Sequence, residues 1–576
     1  MSESRQMTSG KSIRQRVPSI VVAALVILGL IAVVLMFLGG SKVGATWDER
    51  IHALMLSTYF DNGWYVSPDW LVNGAPSAKL GDWPYYVYAP VAELFTHVVT
   101  VISGQEAWGG FSDSQGAYAA RHVGTALMAL IGILAAGLTT KLITRSWSWA
   151  VVTSAFLASV PMWIGHGMFN VKDLPVGTGY TLVTLGFVAL LRTSYVLSAR
   201  LRVLAYLSII TGVLLSVGTR PASGLPMAMT IFAIAALFVV LLLRRSTSSM
   251  LLPRPGIRLL DLVVASLASY IALVAIYPRG FINPYVMAHE TLAISGKFPV
   301  YDAVLTNGAW LQQPVPWFYL PTWFGAQLPI LILLLLLVFA IWWISAIVAV
   351  IRSRKSPSPR RLRTWEICLL VVPVGLQAFL LPALAIALHS TMYNAVRQFL
   401  FVVPAVVILA TIGLRGLLGW RISRKPVLRV LIWALVTVGV ALPVVDQVRL
   451  FPYGYVYFNE LASLKPIDGN WATDYWRASS QGLAQIVPAE GRESCRFIDA
   501  KREAQPCADQ APFEPFWRER GIKALPGTLQ PNQYWFVREN GGDVTAPPGC
   551  VLHDQITRPL RGQTLTIAQV FACTTN

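Results

Sequence analysis

Residues 18–38 run PSIVVAALVILGLIAVVLMFL without one charged side chain, and comparable stretches recur along the whole 576-residue chain. A bilayer core about 30 Å thick is crossed by roughly 20 apolar residues in a helix. That window places further spans near 119–143, 148–168, 174–196, 203–219, 222–243, 259–277, 326–350, 366–388, 397–418 and 428–446, about eleven with the first. Arg220-Pro221 interrupts the 203–243 region, where the division is least sharp. The first span is too long for a signal peptide and lacks a small-residue cleavage site, so it is expected to remain as an anchor. Composition agrees: 55% of residues are apolar, 13% are charged and the mean hydropathy is +0.56, against about a quarter charged in soluble domains. A disordered, fibrous or nucleic-acid-binding chain is excluded. The expected class is an all-α polytopic membrane protein.

The net charge of +18 is unevenly placed. From Gln447 onward basic and acidic residues balance at 13 each, so the excess lies in the first 446 residues. Between spans, one set of segments holds 24 basic residues, including six in RSRKSPSPRRLR (352–363), and the opposite set holds nine. The positive-inside bias puts residues 1–17 in the cytoplasm and a domain from 447 to 576 outside. In that tail CRFIDA, QYWFVREN, CVLHDQI and TLTIAQVFAC alternate with turns, and a helix is expected near 474–487, which makes a small extracytoplasmic α/β domain. Cys495, Cys507, Cys550 and Cys573 all lie in it. An even set outside the cytoplasm suggests two disulfides, by proximity 495–507 and 550–573, though four cysteines allow three pairings. Zinc is the rival, without a supporting His spacing.

Two outer loops are long, about 80 residues (39–118) and about 48 (278–325), and loops of such length are usually functional. The first opens GATWDERIHALMLSTYF, with Asp48 and Glu49 at N-cap-like positions. Ile51, Leu54, Met55, Thr58 and Tyr59 would form one face of a surface helix, and YYVYAPVAELFTHVVTVI (85–102) a second. A cap and a favourable dipole would account for Asp48 and Glu49. The turn GHGMFNVKDLPVG (165–177) brings Asn170, Lys172 and Asp173 to the same outer face, where Asp173 could cap the helix that Pro175 begins. Arg220 and Arg397 lie at outer span ends and could snorkel. His122, His166, His289 and His389 are expected to be packed or interfacial, with only His289 in a long polar stretch. Trp47, Trp64, Trp70, Trp83, Tyr85, Tyr86 and Tyr88 suit an interfacial belt. These carboxylates and cations all share one side. An acceptor hydroxyl needs a base, and a departing phosphate needs cations or a metal. No P-loop, GxGxxG or HExxH is present.

The chain resembles the GT-C superfamily of polyprenyl-phosphate-sugar-dependent glycosyltransferases, in the branch of protein O-mannosyltransferases and the lipid A aminoarabinose transferase. The resemblance rests on the acidic Asp48-Glu49 pair, YVYAPVAEL, AARHVGTALMALIG (119–132), FNVKDLP (169–175), WFYLPTWF (317–324), YNAVRQFLFVVPAVVILA (393–410), and PYGYVYFNEL with TDYWRAS (452–479). It ends near Ser479 and departs at Gln398, where the subgroup has His after the Arg. It implies a GT-C fold in a bacterial plasma membrane, and transfer of a sugar with inversion from polyprenyl phosphate to a hydroxyl of a protein, lipid or wall glycan. Asp48 would be the base and Glu49 would support it or orient the acceptor. Lys172 and Asp173 would line the donor pocket, and Arg397, Arg220 and His289 would hold its phosphate. Branches of the superfamily differ on a divalent metal (Mg or Mn), so a site between Asp48 and Asp173 stays open. The rival readings are a lipid-linked glycan flippase, a glycan polymerase or ligase on the same fold, and an inert scaffold. Transporters usually show internal repeats and broken midplane helices, and neither is evident here.

Overall fold

A computed structural model gives the architecture. It describes the chain except residues 1–16, 47, 67–87, 193–197, 244–253, 296–302, 353–358, 421, 488–494, 499–503, 507–515, 517–518, 521–533, 539–545, 547–549 and 574–576. The expected aromatic-belt residues Trp47, Trp70, Trp83, Tyr85 and Tyr86, and Cys507, lie outside the described residues.

Ten of the described helices are long and apolar enough to cross a membrane, and a bent pair makes eleven. They are α1 (Ser19–Gly40), α4 (Gln115–Thr144), the pair α5 (Trp147–Ser159) and α6 (Pro161–Gly167), α7 (Asp173–Leu190), α8 (Ala199–Val217), α9 (Gly224–Leu243), α10 (Pro255–Ile276), α13 (Ile330–Arg352), α14 (Pro359–Ala387), α15 (Val402–Gly419) and α16 (Pro426–Leu450). Large apolar side chains face outward from them, such as Ile27, Leu30 and Val34 on α1 and Leu334, Leu337 and Ile341 on α13. In water such faces would be costly; in lipid they are the solvated surface. The chain is a multi-pass membrane protein.

The centre is α7, buried along its whole length. Its glycines and threonines let neighbours come close, as small residues do between membrane helices. A Cβ on Gly179 would lie 2.5 Å from the Gly212 carbonyl of α8. Thr178 donates to Met128 O at 2.9 Å, and Gln377 of α14 bonds Thr181, Thr184 and Phe401 O, which ties α7 to α14 and α15. Pro161, which has no N–H to give, ends α5, and the chain turns by 72° into α6. That turn delivers the 168–173 segment to the ends of the helices.

Outside the bundle lie surface helices α2 (Glu49–Asn62), α3 (Val91–Ile102), α11 (Pro284–Ser295) and α12 (Tyr319–Gln327), with a hairpin of β1 (Ala303–Thr306) and β2 (Ala309–Gln312). The burial of α2 departs from the expected face: His52, Ala53, Met55, Leu56 and Thr58 are buried, while Ile51, Leu54 and Tyr59 are half-buried. The helix is enclosed rather than lying on an open surface.

After α16, residues 451–479 pack onto one end of the bundle and lead to α17 (Ser480–Ile486). The tail then forms a five-stranded sheet in the order β4-β3-β5-β7-β6, from β3 (Cys495–Ile498), β4 (Ala504–Pro506), β5 (Tyr534–Arg538), β6 (Cys550–Leu560) and β7 (Gln563–Cys573). β3 and β5 are parallel and the other pairs antiparallel. Together with α17 it is the small α/β unit expected. Arg561 and Gly562, both with positive φ, close β6 and β7 in the two-residue turn whose twist suits a hairpin. Cys550 is disulfide-bonded and stands opposite Cys573 in the ladder, while Cys368 is free.

Candidate active site

Five charged side chains from four places in the sequence meet where the helices end. Asp48 precedes α2, Lys172 and Asp173 begin α7, Arg220 lies in the break between α8 and α9, and Arg397 opens a 3-10 turn (Arg397–Phe399) before α15. Lys172 Nζ donates to Asp48 Oδ2 at 2.5 Å and to the Tyr88 hydroxyl at 3.2 Å. Asp173 takes Arg220 on one oxygen and Arg397 on the other, the latter at 3.2 Å. Asn170 fixes the turn: its Oδ1 accepts from the backbone N–H of Lys172 at 3.1 Å and of Asp173 at 2.9 Å. Asn170 is held in turn by His166, whose other nitrogen meets the Tyr475 hydroxyl.

Capping does not explain the two aspartates. Asp48 occupies the N-cap of α2 but makes no side-chain cap bond, and its carboxylate is spent on Lys172. Asp173 is the first residue of α7, and Asn170 supplies the backbone acceptor. Their exposures differ: the Asp48 side chain is 31% exposed, Asp173 only 2%. Asp48 can meet a ligand from outside, whereas Asp173 is an internal counter-ion. Burial pushes the Asp48 carboxyl up, but the Lys172 ammonium and its hydrogen bond outweigh that and hold it below the ordinary carboxylate value. Lys172 is reciprocally raised: burial opposes the charge and Asp48 more than restores it.

Among the described residues three cations face two carboxylates, which leaves one positive charge in excess. Arg397 is buried, its Nε has no hydrogen-bond partner, and its guanidinium lies 3.5 Å from the centre of the Trp476 ring. Lys172 Nζ sits 4.9 Å from the Tyr88 ring and 5.1 Å from Trp476. Cations over aromatic faces keep their charge without a competing anion. Asn394 and Ala395, just before Arg397, and Arg477, just after Trp476, all have positive φ, a strained backbone that surrounding structure must hold. An apolar groove runs between α9 and α14, lined by Ala228, Met229, Phe232, Ala233, Leu376 and Leu380.

Glu49 is placed apart. One oxygen accepts from Thr46 N–H at 2.6 Å and the other meets His122 Nε2 at 2.6 Å, while His122 Nδ1 contacts Gly40 O. Both oxygens are used to fasten the turn carrying Asp48 to α1 and α4. His289 is exposed on α11 and stacks on Tyr285; no described contact brings it to the cluster. Gln398 bonds its own loop at Tyr393 N. The carboxylates do not suit a divalent ion, because each already faces side-chain cations and, among the described residues, no three His, Cys, Asp or Glu stand together.

Sequence reasoning misses His52, Tyr88 and Trp476 as site residues. His52 is one helical turn beyond Asp48, and its Nδ1 meets Tyr65 OH at 2.9 Å while its buried Nε2 has no hydrogen-bond partner. Burial, then the Lys172 charge, hold it neutral with a pKa of about 3. Its i, i+4 relation to Asp48 is the signal that was present.

No protein-family model and no curated protein matches the chain significantly. Among solved structures, it is similar to ArnT from Cupriavidus metallidurans bound to undecaprenyl phosphate, with 14% identity, a TM-score of 0.43 and coverage of 95% of this chain and 97% of that one. The apo state of that ArnT gives 15% identity, a TM-score of 0.39 and the same coverages. The Archaeoglobus fulgidus oligosaccharyltransferase in complex with Zn and sulfate gives 13% identity and a TM-score of 0.39, over 88% of this chain and 59% of that one.

Proposed function

We propose that this chain is an inverting membrane glycosyltransferase that moves a sugar from a polyprenyl-phosphate donor to an acceptor hydroxyl on the outer face. The observation that carries the reading is the pairing of a part-exposed carboxylate, Asp48, with Lys172 beside two guanidiniums, half-buried Arg220 and buried Arg397, that share the single carboxylate of Asp173. A phosphate suits that excess, and guanidinium groups bind phosphate strongly. The apolar groove between α9 and α14 suits a prenyl chain.

The ion pair also suggests an order of events. A carboxylate neutralised by Lys172 is a weak base. A donor phosphate entering among Lys172, Arg220 and Arg397 competes for Lys172 and frees Asp48. Asp48 then accepts the proton of the acceptor hydroxyl as its oxygen forms the bond to the anomeric carbon. The bond to phosphate breaks on the opposite side, and the cations stabilise the departing charge. Base and donor are thereby coupled, so no acceptor is activated in an empty site. Glu49 acts through position, by holding the Asp48 turn. A metal is not needed in this scheme, since side-chain cations already occupy the phosphate's surroundings.

The test is release of polyprenyl phosphate from a short-chain polyprenyl-phosphate sugar by purified protein with a panel of hydroxyl acceptors. Asp48→Asn should abolish release while retaining donor binding, and Arg397→Ala should lose binding itself. Donor turnover undiminished in Asp48→Asn would sink the assignment of the base. A flippase would instead move the lipid across vesicles without cleaving it.

A further inference from the structure

Where the tail meets the bundle lies a cavity that the proposed reaction does not use. It holds about 220 Å³ and is lined by Ser41 and Val43 after α1, Gln115 and Ala119 of α4, Gln481 of α17 and Phe516 of the tail. None of these side chains is charged. The Ser41 hydroxyl donates to Leu38 O at 3.0 Å, which leaves its oxygen as an acceptor. Gln481, turned so that its amide nitrogen donates to Lys42 O at 3.1 Å and to Val43 O at 3.3 Å, is fixed against the turn after α1. Among the described residues the Gln115 carboxamide has no partner. A third carboxamide is close: a Cβ on Gly116, which also lines the cavity, would fall onto Gln105 Oε1. Val43, Ala119 and the buried Phe516, whose ring lies 6.3 Å from that of Tyr118, form the apolar part.

Carboxamides and hydroxyls give and accept hydrogen bonds without charge, as the hydroxyls of a sugar do. The apolar side chains beside them match the C–H face of a sugar ring. A charged ligand would meet no counter-ion in this lining, and a wholly apolar one would leave the amides unpaired. Volume sets the size: a cavity of about 150 Å³ holds benzene, so this one takes a six-membered ring with its hydroxyls. A peptide's extended backbone would instead need a groove or a free strand edge. The cavity is also tied to the candidate site. Gly40 O, in its wall, meets His122 Nδ1 at 2.6 Å, and the other His122 nitrogen holds Glu49. Gly44 N–H donates to Ala478 O at 3.0 Å, and the Ser480 hydroxyl to Ala45 O at 3.1 Å. Asp48 follows Val43 by five residues, a reach of about 18 Å at most.

We propose that this cavity seats one neutral sugar unit of a glycan acceptor, remote from the hydroxyl presented to Asp48, so that the tail completes the acceptor site through Gln481 and Phe516. The inference rests on the reading of Asp48 as the base for an acceptor hydroxyl.

The experiment is saturation-transfer NMR on the full chain, in a detergent without a sugar headgroup, with neutral trisaccharides of glucose, galactose, mannose and arabinose and with an uncharged serine-containing peptide. Transfer assays on the same compounds, with short-chain polyprenyl-phosphate sugars as donors, follow. At least one trisaccharide should receive saturation, and the peptide none. Ala119→Leu, which fills the cavity, should abolish that binding and raise the KM for the trisaccharide, with donor affinity unchanged. Gln115→Leu, at a half-buried position, should weaken binding about fivefold. Failure of every trisaccharide to bind, or binding undiminished in both variants, overturns the proposal. Peptide binding that Ala119→Leu removes overturns it too, in favour of a protein acceptor. Should Ala119→Leu fail to fold, Gln115→Leu decides alone. A trisaccharide that binds here but is never glycosylated by any donor counts against the transferase reading and leaves the sugar seat standing. Transfer to a trisaccharide with a KM unmoved by Ala119→Leu does the reverse.

Discussion

Asp48 and Asp173 both lie at helix starts, but their partners differ: one faces a single ammonium and solvent, the other two guanidiniums in the interior. On the proposed reading, Asp48→Asn removes the proton acceptor and should slow transfer by at least about 100-fold in a donor-release assay, with expression unchanged. A separate residue-scale effect concerns Asp474. It is buried, accepts from the Tyr455 and Ser479 hydroxyls, and burial raises its pKa to about 7. The folded state therefore holds this proton more tightly than the unfolded chain. Its favourable contribution is complete below the ordinary value near 3.8 and is lost as pH rises toward 7, a difference of about 3 kcal/mol at most between pH 5 and 8. Thermal melts should show stability falling over that range, and Asp474→Asn should flatten the slope. The charged members of the candidate cluster, Asp48, Lys172, Asp173, Arg220 and Arg397, were legible in the sequence because ions beside apolar spans are conspicuous. Trp476 and Tyr88 were not, since one aromatic among 20 Trp and 20 Tyr has no local mark. The resemblance implied that Glu49 supports the base or orients the acceptor; its oxygens are taken by Thr46 N–H and His122, which leaves support of the Asp48 turn as the proposed part.

Elements reach the site through close approach. A Cβ on Gly165 of α6 would fall onto the backbone of Tyr455, in the segment that leads to Trp476. Gly165→Val should therefore force 454–456 off the bundle and cost about 1–3 kcal/mol or more, seen as a lowered unfolding midpoint in detergent. The loop before Arg397 offers the converse. Ala395 has φ 59°, which glycine adopts without the steric cost. Ala395→Gly should be neutral or stabilising by up to about 1 kcal/mol in the same melts, whereas glycine within a helix is normally unfavourable. Hydropathy located the spans well, because length and apolarity decide membrane helices. It ran 397–418 as one span, although the helix begins only at Val402. The preceding turn is fixed by tertiary contacts, Tyr319 OH to Ala395 O and Gln313 Nε2 to Met392 O, which no local pattern encodes. Similarly, the helix expected over 474–487 starts at Ser480, because Asp474 gathers 474–479 into a turn.

At the scale of the whole molecule, the tail is fastened to the chain that roofs the site. The β6–β7 hairpin contacts that chain at successive positions. Arg558 donates to Phe451 O at 2.8 Å, and Arg561 pairs with Asp446 at 2.6 Å and with Glu460. Gln563 donates to Ser463 O at 2.8 Å and accepts from Ile467 N–H at 3.1 Å, and Thr566 N–H reaches Asp468. The same run continues to Trp476, stacked on Arg397. If the hairpin holds this run in place, loosening it should free Trp476 while the helices stay assembled. The double substitution Arg561→Ala with Gln563→Ala should raise hydrogen exchange over 463–479 by about tenfold or more, leaving α7 and α15 protected, because local opening is governed by local contacts. On the proposed reading, affinity for the donor lipid falls with it, since Arg397 loses the ring that orients it. Unchanged exchange over 463–479 would mean that the bundle alone holds the run, and the tail would then be free to serve another purpose.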